Sequence, residues 1–164
     1  EPVPVKADAL AALMNPYKCA YSALPSRTNM AISFIKKAAE KHLLTLSPSI
    51  PTSFEGVNFD PPQGMYQRTQ FLIRSPEDPV LGTGYYRENV NFQVYVSIPD
   101  GNGTGDAYRR AELIRNLFKK GTTLVESGIM IHVLSTPKVS TDMQASGRII
   151  VPVFIDLTAE VYSV

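Results

Sequence analysis

The residues Gly101-Asn102-Gly103-Thr104-Gly105 form the stretch whose types and spacing most invite a chemical role. They follow an alternating apolar segment and open an amphipathic one, where free backbone N–H groups at a helix start could hold a phosphate. Glu126 falls about where a ribose-binding acid would stand. The spacing, however, is Gly-x-Gly-x-Gly, not Gly-x-Gly-x-x-Gly, and no Lys-Ser/Thr pair follows for a phosphate loop. The segment around Leu124 reads as one arm of a hairpin, whereas a dinucleotide fold needs a further parallel crossover. A flexible connection or partner-contact loop is the reading adopted, with a phosphate- or nucleotide-binding enzyme as an alternative.

The other chemical candidates are weaker. His42 and His132 are the only histidines. His42 ends an apolar helical stripe, His132 lies in a strand, and no His-x-x-x-His spacing supports a metal site. Asp60, Glu77, Asp78, Asp100, Asp142 and Asp156 are scattered without paired spacing. No Gly-x-Ser-x-Gly elbow marks a nucleophile. Cys19 is the single cysteine, which excludes an intrachain disulfide and a cysteine-built zinc site. Asn102-Gly103-Thr104 matches a glycosylation acceptor, with no secretion signal to give it meaning. The expectation is a protein that is not an enzyme, with no catalytic residue, no cofactor and no metal.

Composition narrows the classes further. The 164 residues are 44% hydrophobic, enough for one domain with a core. Sixteen basic against fifteen acidic residues leave a net charge of +1. That argues against a membrane-surface protein and against a sequence-specific nucleic-acid binder, which would cluster one sign. No run of 18 apolar residues is present to span a membrane. The opening Glu1-Pro2-Val3-Pro4-Val5-Lys6 does not resemble a signal peptide. With no initiator Met, the numbering is expected to begin inside a longer or processed chain, of reduced, intracellular origin.

The elements that would position these residues follow from periodicity. Residues 1–26 carry Pro2, Pro4, Pro16 and Pro25 and read as an arm, with a domain over 27–164. From Thr28 to about Leu44 the pattern is helical, with Ala31, Phe34, Ile35, Ala38 and His42 on one face. Met65–Ile73 reads as a strand. In Val90–Ile98, Val90, Phe92, Val94, Val96 and Ile98 alternate with Asn91, Gln93, Tyr95 and Ser97. A second helix spans Asp106–Lys120 with the stripe Ala107, Ala111, Ile114, Leu117 and Phe118. Arg109, Arg110, Arg115, Lys119 and Lys120 are placed outside it, and Gly121 stops it. Strands are expected at Thr122–Val125, Ile129–Leu134 and Arg148–Val161, the first two as a hairpin. This order predicts an α+β domain: a mixed, mainly antiparallel sheet with two main helices packed on one face.

One pattern bears on function. Ile129-Met130-Ile131 and Ile149-Ile150-Val151-Pro152-Val153-Phe154-Ile155 are apolar at both parities, whereas a strand with one wet face alternates. Two helices cover one face only. The other requires the arm and the 46–64 loop, or another subunit. Burial is worth about 25 cal/mol per Å² of apolar surface, so an uncovered patch favours association.

The run Gly84-Tyr85-Tyr86-Arg87-Glu88-Asn89-Val90-Asn91-Phe92-Gln93-Val94-Tyr95-Val96, the Gly101–Gly105 loop and the helix Ala107-Tyr108-Arg109-Arg110-Ala111-Glu112-Leu113-Ile114 resemble one phage family. So do Glu55-Gly56-Val57-Asn58-Phe59 and Phe118-Lys119-Lys120-Gly121. The resemblance, over about residues 27 to 160, is to the tail terminator (tail completion) proteins of long-tailed bacteriophages, a family that includes a phage-related domain of unknown function. It implies a sheet flanked by helices, a self-associating hexameric ring, capping of the tail tube and an end to tube polymerisation. A docking surface for the head is implied as well. Expected partners are further copies of the chain, the tail tube protein and neck or head-completion proteins. The expected location is the tail–neck region of the virion, reached from the host cytoplasm during assembly. A neighbouring neck or head-completion protein is the alternative within the same particle. The loops at 75–88 and 135–147 suit partner contact. The partner-contact residues expected are Arg74, Glu77, Asp78, Tyr86, Arg87, Arg109, Arg110, Lys138 and Arg148.

Overall fold

The computed structural model describes residues 30–82 and 84–162, so the arm proposed for residues 1–26 lies outside the described residues. Helix α1 spans Ala31–Leu44, followed by β1 (Thr52–Ser53), β2 (Tyr66–Ile73) and β3 (Tyr85–Pro99). Helix α2 spans Gly105–Leu117 and leads to β4 (Thr123–Glu126), β5 (Ile129–Val133), β6 (Lys138–Val139), β7 (Met143–Ala145) and β8 (Arg148–Tyr162). All eight strands join one sheet in the order β1-β2-β3-β8-β5-β4, with β6 and β7 also paired to β8. Only β1 and β2 run parallel, so the sheet is mixed and mainly antiparallel.

The spine is the β3–β8 pair, each strand 15 residues long and paired from Tyr85↔Tyr162 to Pro99↔Arg148. Strand β3 begins five residues earlier than its apolar alternation predicts. Residues 85–89 lack that alternation but are held by the ladder to β8, a tertiary effect that local pattern does not carry. The expected 75–88 loop is therefore shorter, and Tyr86 and Arg87 are strand residues. The 135–147 segment likewise contains β6 and β7.

Register explains the core. Val90, Phe92, Val94, Val96 and Ile98 face Leu157, Ile155, Val153, Val151 and Ile149 across the ladder, and all ten are buried. On β2, Phe71 sits opposite Phe92 with the rings stacked at 4.6 Å, and Phe118 meets Phe92 edge-on at 5.7 Å. Helix α1 contributes Ala31, Ile35, Ala38, Ala39 and Leu43 to this cluster, and α2 contributes Ala107, Ala111 and Ile114. These positions recur at helical spacing, as an amphipathic stripe requires. His42 places its ring edge-on to Phe118 at 4.9 Å, and its Nε2 lies 3.2 Å from the Leu117 carbonyl oxygen.

Arg110 departs from the sequence expectation. Assigned to the outer face of α2 as a partner contact, it is buried, 4% exposed. Its Nη1 donates to the Pro48 carbonyl at 2.6 Å, and Nε and Nη2 donate to Gln67 Oε1 at 3.4 and 3.3 Å. Position 110 stands three residues after Ala107 and four before Ile114, so its Cβ shares their side of the helix.

Candidate functional site

The second face of the sheet carries the alternate parity. On β3 it presents Tyr85, Arg87, Asn89, Asn91, Gln93, Tyr95 and Ser97; on β8 it presents Ile150, Pro152, Phe154, Asp156, Thr158, Glu160 and Tyr162. Pro152 and Thr158 are buried, whereas Ile150, Phe154, Asp156 and Glu160 are half-buried and Tyr162 is exposed. The two-parity pattern of β8 thus resolves into a dry face and a mixed one.

A hydrogen-bond ladder of fixed polarity runs along the middle of this face. Tyr95 Oη donates to Gln93 Oε1 at 2.6 Å, Gln93 Nε2 to Asn91 Oδ1 at 2.8 Å, and Asn91 Nδ2 to Asp156 Oδ1 at 2.9 Å. Asp156 also pairs with Arg74 at 3.2 Å and accepts from Ser135 Oγ at 3.4 Å. Each amide is locked by giving to one neighbour and taking from another, so the ladder terminates on a carboxylate with all its members oriented. Nearer the start of β3, Arg87 Nε donates to Tyr85 Oη at 3.1 Å and Tyr85 Oη to Glu160 Oε1 at 3.3 Å. The Tyr85 and Tyr162 rings lie 5.0 Å apart. Glu77 is tied to Arg87 by backbone hydrogen bonds of 2.9 Å in both directions.

At the opposite end of the same face a groove of about 260 Å³ is lined by Tyr66, Arg68, Gln70, Tyr95, Ser97, Met143 and Ile150. Arg148 closes one flank. It donates to Ser97 Oγ at 2.8 Å and to the Gly64 carbonyl at 2.5 Å, and its guanidinium stacks on Tyr66 at 4.8 Å.

The expected contact residues therefore separate. Arg74, Glu77 and Arg87 come together with Asp156 and Glu160 at one end of the second face. Asp78 lies beside them on the exposed 74–82 segment. Tyr86, on the opposite parity, is half-buried against the core, and its hydroxyl is pushed up by burial and then by Glu88. Arg148 sits at the far end as a brace for the Gln63–Gly64 turn. Lys138 is exposed on β6. Arg109 is exposed on α2 and, among the described residues, pairs with Asp106 in the first turn. The sequence did not single out Asn91, Gln93, Tyr95 or Asp156 as a unit; their period-two spacing on β3 was visible, but the link to Asp156 depends on register.

The Gly101–Gly105 loop is an exposed turn in which Gly101 and Gly103 adopt φ of 101° and 78°, the left-handed region. Asp100 Oδ1 accepts from the Gly101 N–H at 2.8 Å, and Asp106 stands in the first turn of α2. Two carboxylates at a helix start oppose an incoming phosphate. Glu126 is tied to Lys37 and Lys41 of α1 at 3.0 and 2.8 Å, and these lysines hold its carboxyl below the usual carboxylate range. Among the described residues no three His, Cys, Asp or Glu side chains are grouped to hold a metal ion.

The two helices and the mixed, mainly antiparallel sheet, with one half-polar face of ordered side chains, define the chain as an α+β protein. The comparisons agree. The model of the phage tail terminator protein family matches residues 34–156, three quarters of the chain, and the chain belongs to that family. As a member it is a structural protein of the phage tail, carried in the virion. Two solved structures share the fold. One is 23% identical with a TM-score of 0.64, covering 79% of this chain and 96% of its own. The other, from the virion of a native gene transfer agent particle, is 15% identical with a TM-score of 0.53, covering 80% and 97%. No curated protein matches.

Proposed function

We propose that the chain caps the finished tail tube as a ring of six copies, ends tube polymerisation and offers the surface to which the head is joined. The reading rests on family membership together with one observation, the second face of the sheet. There Ile150, Phe154, Met143 and Tyr162 remain partly or fully accessible beside an ordered polar ladder. Such a surface is the kind that neighbouring copies or a tube cover.

In this reading the chain divides into an arm, 1–26, and a domain, 27–164, with both helices on the same face of the sheet. Ile35, Leu43, Ala111 and Ile114 share one buried cluster with the inward residues of β3 and β8, which supports that placement. The second face is then left for the ring, the tube protein and the neck proteins. Arg74, Glu77, Asp78, Arg87 and Lys138 are its charged contacts, while Arg109 meets a partner from the outer side of α2. The protein works without a cofactor and without catalysis, at the tail–neck junction, after assembly in the host cytoplasm.

The experiment is tail assembly in the presence and absence of the chain. With it, tubes of uniform length carry a ring at one end in negative stain and accept heads. Tubes that reach normal length and join heads without the chain would end this reading.

A further inference from the structure

We infer that the groove between Tyr66, Arg68, Tyr95, Met143 and Ile150 receives the exposed 76–81 segment of a second copy, with Arg68 meeting Asp78 and Leu81 seated against Met143 and Ile150. The inference rests on the ring reading above and specifies its contact.

Charge is the first argument. Arg68 and Asp78 are both exposed, and among the described residues neither side chain has an ion pair or a hydrogen bond. Nearby arginines are otherwise matched: Arg74 with Asp156, Arg87 with Glu160, and Arg148 with carbonyl oxygens. One cation without an ion pair lines a groove, and the exposed segment carries two carboxylates, Glu77 and Asp78, that form no ion pair among the described residues.

Apolar surface is the second. Leu81 is fully exposed at 110% and Val80 at 52%, while Met143 at the groove is 48% exposed. A leucine wholly in water, three residues after an exposed Asp78, is a plug without a socket. The groove supplies Met143, Ile150 and the Tyr66 and Tyr95 rings as apolar contacts, with Arg68 as its cation and Gln70 and Ser97 as polar neighbours.

Position excludes the same chain as the donor. Arg68 pairs with Tyr95, whereas Glu77, next to Asp78, is bridged to Arg87, eight residues earlier on β3. At about 3.4 Å per residue that separation is roughly 27 Å along the strand. The plug and the socket therefore lie at opposite ends of the β2–β3 pair. A contact between different patches of identical chains is head-to-tail, the type that closes into a ring when the rotation permits.

The test is a charge exchange read by sedimentation of the purified full chain, alone and with tail tubes. Arg68→Glu and Asp78→Arg should each weaken self-association about tenfold or more and leave the melting temperature unchanged, and the double variant should restore association. Leu81→Ser should weaken it in parallel. If rings form equally well with either single variant, or the double variant fails to recover, the contact is wrong while the ring reading stands. If the unaltered chain never self-associates, even on tubes, both fall. Should Arg68→Glu lower the melting temperature of the single chain without touching association, the groove holds the chain's own residues 1–29. Should it abolish tube binding alone, the groove faces the tube protein. Either result overturns the proposal.

Discussion

Arg110 and Gln67 are joined inside the protein, the guanidinium of α2 reaching the carboxamide oxygen of β2 at 3.3 Å while its third nitrogen holds the Pro48 carbonyl at 2.6 Å. The pair links a helix, an edge region of the sheet and the turn after α1 through one buried cation. Burial lowers the Arg110 pKa, yet a guanidinium remains charged at any working pH. Replacing Arg110 with Ala strands the Gln67 and Pro48 oxygens and should cost about 1–3 kcal/mol of stability. Arg110→Glu, which sets a carboxylate against two acceptors, should prevent folding. Urea unfolding of the first and soluble yield of the second check both; a stable, soluble Arg110→Glu protein would contradict this account.

Phe92 lies between Phe71 and Phe118, stacked on one and edge-on to the other. Phe92→Ala should lower stability by about 3–5 kcal/mol, measured by denaturant unfolding with an unchanged slope. Val94, fully buried at the centre of β3, tolerates no charge: Val94→Asp should give no folded protein. Dispersed amide resonances from that variant would refute the strand assignment.

Glu126 supplies a pH dependence. Its folded pKa is lowered by Lys41 and then Lys37, so its contribution is present above the unfolded carboxyl value, about 4.3, and disappears as pH falls through the folded value. Glu40 and Glu88 oppose it. Burial raises both carboxyls, so their contribution is largest below the unfolded value and is lost as pH rises through the folded one. The difference between the native chain and Glu126→Gln isolates the first effect. Melting temperatures of the two should converge as pH falls through the folded value, and also on adding salt, because both lysines are exposed. A gap that persists at low pH would assign the effect to packing.

Tyr108 fastens the 135–147 segment to α2. Its hydroxyl donates to Asp142 Oδ1 at 2.7 Å and accepts from the Asp142 N–H at 3.1 Å. Tyr108→Phe should accelerate hydrogen exchange at Asp142 and its neighbours and cost about 1 kcal/mol overall. Unchanged exchange there would show that β6 and β7 hold the segment unaided.

Much of this fold could be read before any coordinates. The alternation from Val90 to Ile98, the 129–133 and 148–162 strands and both helices carry enough periodic apolar residues to declare themselves. Strands β1, β6 and β7, two or three residues each, have no period to detect; only pairing to β2 or β8 creates them. Residues 85–89 became strand for the same reason. Arg110 was misplaced because residue type outweighed position, although its spacing from Ala107 and Ile114 already put it on the buried side. The incompletely covered second face was legible as excess apolar character in 149–155, where Ile150 and Phe154 are half-buried. Its polar ladder was not, since Asn91 meets Asp156 only once β3 and β8 are in register.

The β3–β8 spine also sets when this protein comes into being. Its two halves are separated by a helix, a hairpin and two short strands, so the central pairing cannot close on a nascent chain before Tyr162 has been synthesised. Distant pairing of this kind makes folding slow. A fragment that stops short of β8 lacks the strand on which β3, β5, β6 and β7 all pair, so it offers neither face of the finished sheet.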